Sequence, residues 1–152
     1  IRPGFIRDEP RYRARLEQML GLADIVKVSD EDLNWIVPGS GSLAEKSDEI
    51  RARGAKLVIL TKGSAGASGW LPTGGEISVV AQRVEMVDTV GAGDTFNAGV
   101  LAHLQQAGAL DKAALSDIGP DLLHDALAFG TRVAGVTVSR AGANPPWAQE
   151  LE

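Results

Sequence analysis

Apolar residues along the chain follow two rhythms, and the alternation between them outlines the architecture. Tyr12, Leu16, Met19 and Leu20 recur at helical spacing among arginines and glutamates, which predicts a helix over Pro10–Gly21 with Gly21 at its end. Asp24–Val28 is short and β-branched, the pattern of a buried strand. Asp30 is then expected to cap a short helix carrying Leu33, Ile36 and Val37. After a loop at Pro38–Gly41, Ser42 with Glu45 forms a capping-box pattern for a helix to about Arg53. Lys56–Thr61 is the clearest buried strand. Ala67–Leu71 and Ile77–Val80 flank Pro72-Thr73-Gly74-Gly75-Glu76 and predict a hairpin. Two longer helices follow: Asp94–Gln106, with Asn97, Val100, Leu101 and Leu104 on one face, and Asp121 to about Val138, with Leu122, Ala126, Phe129, Val133 and Thr137 near one stripe. Ile1–Phe5 reads as the end of a strand that began earlier. With Ile rather than Met first, the sequence is expected to start within a longer protein.

Strands alternating with helices imply a layered α/β domain with a mostly parallel sheet. Ligands in such sheets bind at the carboxyl ends of the strands. The 152 residues suffice for one domain with a core, and 44% are apolar, which argues against disorder. A net charge of −5 with no basic face disfavours nucleic acid as partner. No apolar run reaches the roughly 20 residues that span a bilayer. Cysteine is absent, so thiolate chemistry and disulfides are excluded, and a cytoplasmic location is expected.

The segment with the most chemical content is Asp88-Thr89-Val90-Gly91-Ala92-Gly93-Asp94-Thr95-Phe96-Asn97-Ala98-Gly99. Gly91 and Gly93 allow close backbone approach to a ligand, and a helix starts just after them. Free N–H groups at a helix start attract anions, phosphoryl groups included. Asp94, in the first turn, is placed to accept a proton from an attacking hydroxyl. Gly-x-Gly-Asp alone fits a turn with a capping aspartate equally well. It is neither a P-loop nor a dinucleotide fingerprint, and Lys62-Gly63-Ser64 has the wrong order for the former.

The longer run closely resembles the C-terminal signature of the PfkB, or ribokinase-like, carbohydrate kinases, and the resemblance extends over essentially the whole chain. It implies a ribokinase-like, Rossmann-like α/β/α fold. Residues 1–152 would be the C-terminal ATP-binding and catalytic part, without the N-terminal half and the β-lid. Asp94 would be the catalytic base, with Gly91, Ala92 and Gly93 forming the anion hole. Ile1-Arg2-Pro3 resembles the tail of the family's Asp-x-Asn-x-Arg-Pro strand, which makes Arg2 a substrate candidate. Lys27-Val28-Ser29-Asp30-Glu31-Asp32 resembles the Asn-x-x-Glu region, with Ser29 for the Asn and Asp32 for the Glu. Lys27 and Ser29 become ATP candidates, and Asp32 a Mg²⁺ candidate acting through water. Thr61, Lys62, Gly63 and Gly66 resemble the nucleotide loop, and Phe129 and Gly130 would wall the adenine pocket. Asp88, Val90, Thr137, Arg140 and Gly142 would hold K⁺, mostly by backbone oxygens.

The resemblance thus implies an ATP-dependent sugar kinase using Mg²⁺, with a monovalent-cation site. The acceptor expected from the Ser29 region is fructose, with 2-keto-3-deoxygluconate or ribose as alternatives. A homodimer is expected of the full-length protein. A reading of another class is a nucleotide-binding fragment without catalysis. His103 and His124 sit within helices and are expected to be structural.

Overall fold

The computed structural model describes residues 1–151. Helix α1 (Glu9–Leu22) leads to β1 (Ile25–Ser29), α2 (Asp30–Ile36), α3 (Leu43–Ala52), β2 (Leu57–Thr61), β3 (Ala67–Trp70) and β4 (Glu76–Val79). Helices α4 (Ala92–Gln106), α5 (Lys112–Ser116) and α6 (Pro120–Val138) complete the chain. The capping box at Ser42 and Glu45 is formed in both directions, so the short signal there is obeyed. At α2 the cap is one residue earlier than expected. Ser29 accepts the amide of Asp32 at 3.1 Å, and Asp30 is already helical.

The four strands form one sheet in the order β1-β2-β3-β4. Only the β1–β2 pair is parallel, with Lys27 opposite Ile59, while β2–β3 and β3–β4 are antiparallel. The layered α/β expectation holds, but the sheet is mixed rather than mostly parallel. The cause is connection length. Only β1 to β2 is joined through helices, and hairpin-length links force antiparallel pairing. At the start of the chain, Pro3–Phe5 forms a 3₁₀ turn rather than the tail of a strand.

Strand alternation sorts side chains between two cores. Leu57 and Ile59 face one side of β2 and pack with Phe96, Val100 and Leu104 of α4 and with Leu123, Ala126 and Leu127 of α6. Val58 and Leu60 face the other side, with Leu20, Leu33, Ile36 and Ile50 of α1, α2 and α3. Both faces are therefore covered, which explains the continuous apolar run in β2. The same parity in β1 sends Val26 and Val28 toward α1–α3 and places Lys27 on the α4 side.

Helices α4 and α6 are packed backbone to backbone. A Cβ on Gly130 would lie 2.7 Å from Val100 Cγ2 and 3.0 Å from the Phe96 carbonyl. One on Gly99 would lie 3.0 Å from Gly130 Cα. This crossing rotates the buried stripes relative to expectation. On α4 the core residues are Phe96, Gly99, Val100 and Leu104, not Asn97 and Leu101. On α6 Leu123 and Leu127 replace Leu122 and Phe129. Introducing Leu at Gly130 forces the two helices apart, and we expect a loss of about 1–3 kcal/mol or more. Denaturant unfolding of the purified protein checks this.

Candidate active site

Helix α4 starts where its own sequence leaves it open. Gly91 is its N-cap, with φ +81°, and offers no side-chain cap. A Cβ there would be strained, and would also sit 3.0 Å from Ala143 Cβ in the terminal loop. The Thr95 amide bonds back to the Gly91 carbonyl at 2.9 Å, and the Ala92 amide to Thr89 at 3.2 Å. Among the described residues, the N–H groups of Gly93 and Asp94 have no acceptor. Two free amides and the positive end of a helix dipole thus converge beside the exposed Asp94. Thr95 is buried, and its hydroxyl donates to the Gly91 carbonyl at 3.0 Å, which fixes the turn from below.

Lys27 reaches this turn from the sheet. Its Nζ lies 2.9 Å from where a Cβ on Gly93 would be. A side chain at 93, where φ is ordinary, would push the Lys27 ammonium aside. Half-burial lowers the Lys27 pKa, while the nearby carboxylates of Asp94 and Asp32 act in the opposite direction. One ammonium therefore stands between two carboxylates contributed by different elements. Asp32 lies in the first turn of α2 and is partly exposed. The Ser29 hydroxyl accepts the Asp32 amide, so it fixes the direction of α2.

The loop after β2 divides its residues between binding geometry and structure. Gly63 has φ +53°, with open space where a side chain would be. Thr61 Oγ1 makes only a long bond to the Val28 carbonyl, 3.4 Å. Lys62 departs from expectation. Its ammonium donates to the buried Ser68 Oγ at 2.7 Å, and Ser68 is bonded in turn to Ser78. That places its charge on the hairpin rather than free for a polyphosphate. A Cβ on Gly66, at φ +99°, would lie 2.0 Å from the Val79 carbonyl, so Gly66 serves the approach of β4.

Asp88 joins the α4 loop to the end of the chain. Oδ1 accepts from Val90 N at 3.0 Å and Oδ2 from Gly142 N at 2.9 Å. These amides hold its carboxyl below the usual carboxylate range. Thr137 is fully buried and its hydroxyl donates to the Val133 carbonyl, which leaves only its backbone oxygen for another partner. The Arg140 side chain pairs with Glu150 at 2.5 Å.

Phe129 and Gly130 part company. Gly130 is spent on the α4–α6 crossing, whereas Phe129 is partly exposed and stacks obliquely on His103 at 5.9 Å. Of the two histidines, His103 packs on Phe129, and His124 is exposed and contacts Asp125. Arg2 has no contact with Asp94 among the described residues and lines a cavity beside α1.

Residues 2–150 match the pfkB family carbohydrate kinases. The chain belongs to the PfkB family. It is 47% identical over 133 residues to a fructokinase of Rhizobium leguminosarum bv. trifolii, covering 80% of this chain and 39% of that protein. To a fructokinase of Klebsiella pneumoniae it is 35% identical, covering 100% of this chain and 48% of the relative. The structure superposes on a Xylella fastidiosa fructokinase with bound ATP at a TM-score of 0.83, with 28% identity over 94% of this chain and 45% of that one. An aminoimidazole riboside kinase from Salmonella enterica, complexed with aminoimidazole riboside and an ATP analogue, gives 0.82 at 27% identity, over 99% of this chain and 48% of that one. The fold is therefore ribokinase-like. The chain spans about half the length of the curated relatives it matches.

The Asp88 tie has a defined pH dependence. Its folded pKa is depressed, so its stabilisation is present above the ordinary Asp value of about 3.9. That stabilisation is lost as pH falls through the lower folded value. The amides of Val90 and Gly142 should therefore move together, in NMR spectra recorded on acidification, with one midpoint below about 3.9. In Asp88→Ala that coupled step should vanish.

Proposed function

We propose that this chain is the nucleotide-binding and catalytic part of an ATP-dependent sugar kinase whose acceptor is fructose. The observation that carries it is the open start of α4, where the free amides of Gly93 and Asp94 flank an exposed carboxylate and the Lys27 ammonium. Phosphoryl transfer asks mainly for positioning and for stabilisation of charge on the moving group. The two amides supply fixed donors for that charge. Asp94, on the same turn, accepts the hydroxyl proton as the oxygen attacks. Lys27 sits within reach of Asp94 and Asp32, where its positive charge offsets the two carboxylates and the arriving phosphates.

Gly63, Thr61 and Ser29 lie at or just past the carboxyl ends of β2 and β1, on the strand ends where this kind of sheet binds ligands. That supports a nucleotide running from the loop after β2 toward the start of α4, with Phe129 at its base end. Magnesium, when bound, neutralises polyphosphate charge. The partly exposed carboxylate of Asp32 fits a holder acting through water. The Asp88 tie holds the Val90 and Gly142 segments together through their amides, and K⁺, when bound, would be held by carbonyl oxygens of these loops. Fructose as acceptor is favoured by the fructokinases among the curated relatives. A cytoplasmic, homodimeric whole enzyme is consistent with a consumer of ATP.

Two experiments test this reading in the whole enzyme. With ATP, Mg²⁺ and a sugar panel, fructose should be the preferred acceptor. Asp94→Asn should then lower kcat by about 10²–10⁴-fold. A near-normal Asn variant removes Asp94 as the base. Replacing K⁺ by tetramethylammonium at constant ionic strength should lower the rate in the wild type. In Asp88→Ala the rate should be low and insensitive to that exchange. Equal rates of the wild type in both salts contradict the K⁺ site.

A further inference from the structure

Five arginines fall within the first fifteen residues of a chain whose net charge is −5. One of them, Arg13, is accounted for. It pairs with Glu9 at 2.7 Å, donates to the Trp35 carbonyl and lies 3.8 Å over the Trp35 ring. The other four, Arg2, Arg7, Arg11 and Arg15, line one open cavity of about 460 Å³ with Tyr12 and Asp8. Among the described residues none of these four guanidinium groups has an acceptor. The nearby acid does not serve them, because Asp8 caps α1 by accepting the Arg11 amide at 3.0 Å. Elsewhere in the chain, Arg51, Arg53 and Arg140 each pair with a carboxylate.

The arrangement is ordered as well as charged. Arg11 and Arg15 are four residues apart on α1 and share one stripe of it, and Arg7 joins them from the bend just before the helix. The helix is held in place at Trp35. Arg13 and Tyr12 both contact Trp35, the latter edge-on at 5.8 Å. The stripe is therefore presented by a fixed scaffold, which lowers the ordering cost of binding. Guanidinium forks match phosphate oxygens in pairs, and several around one opening favour a ligand with concentrated negative charge. The cavity falls within the size of small-molecule sites, beyond what a lone ion fills.

We propose that Arg2, Arg7, Arg11 and Arg15 form a binding site for a phosphate ester. Asp94, Lys27 and Asp32 do not line it. The ligand class follows from charge and shape at this cavity and does not rest on which sugar is phosphorylated.

The test uses the whole enzyme with a non-hydrolysable ATP analogue and fructose at saturation, so that added phosphate cannot occupy the reaction site. Inorganic phosphate should raise the unfolding temperature above that in sodium chloride of equal ionic strength. Calorimetry should give a phosphate Kd that rises at least about tenfold in Arg11→Gln/Arg15→Gln, the loss expected for two charge-assisted contacts. Both residues are exposed, and circular dichroism checks that the double variant is folded. The matching double Lys variant should bind with intermediate strength, since it keeps charge but loses the paired geometry. Fructose 6-phosphate and ADP, tested in place of phosphate, distinguish a sugar phosphate from a nucleotide tail by which binds more tightly. A wild type indifferent to phosphate, or a double Gln variant that binds it as tightly as the wild type, overturns the site. So does a stripe already filled by an acidic segment of the whole protein, which would show as no phosphate effect together with destabilisation by the Gln changes. Failure of fructose phosphorylation with phosphate binding intact would overturn the sugar assignment alone.

Discussion

The mouth of the site depends on how closely α4 and α6 cross at Gly99 and Gly130. There the two backbones approach to a distance at which a single methyl group would collide. Because α4 is pinned at that point, its first turn has one available position relative to the sheet. That position brings Gly93 over Lys27 and Gly91 under Ala143. The same crossing brings the end of α6 back toward the α4 loop, where Asp88 can bridge to Gly142. A packing constraint buried in the core thus sets the geometry of groups that are themselves exposed.

Much of this was legible from local pattern. The elements, the hairpin, the capping box at Ser42 and the importance of Gly91–Asp94 all follow from short-range rules that act within a few residues. Strand pairing sense was less legible, because direction depends on the length of each connection and on which edge the chain returns to. The rotated stripes of α4 and α6 were missed for a related reason. Glycine has no hydrophobicity to score, yet Gly99 and Gly130 mark the most intimate contact between the helices. The sequence also ranked Lys62 as a phosphate cation on position alone, whereas Ser68, six residues on, captures it across the hairpin. The cluster of Arg7, Arg11 and Arg15 was not read from the sequence, because Arg7 lies outside the helix that carries the other two. Only the structure shows that Arg2 joins it and that Asp8 is occupied elsewhere.

The charge pattern around α4 is economical. Asp94 and Asp32 come from separate helices, and Lys27 comes from the strand between them in space. Strand parity is what makes this possible. Val26 and Val28 are committed to the α1–α3 core, so the intervening residue must face α4. An apolar side chain there would leave two carboxylates near each other without a counter-charge, and a Cβ at 93 would displace the ammonium that does the balancing.

The Asp88 bridge closes a ring of chain between residues that are 54 positions apart. Nearly all of that ring is already ordered by α4, α5 and α6 packing against the sheet. Breaking the bridge therefore frees only two short loops and leaves the helices intact. Native-state hydrogen exchange is the natural language for this. Because Asp88 ties the loops around Val90 and Gly142 together, they are expected to exchange as one small unit well before global unfolding.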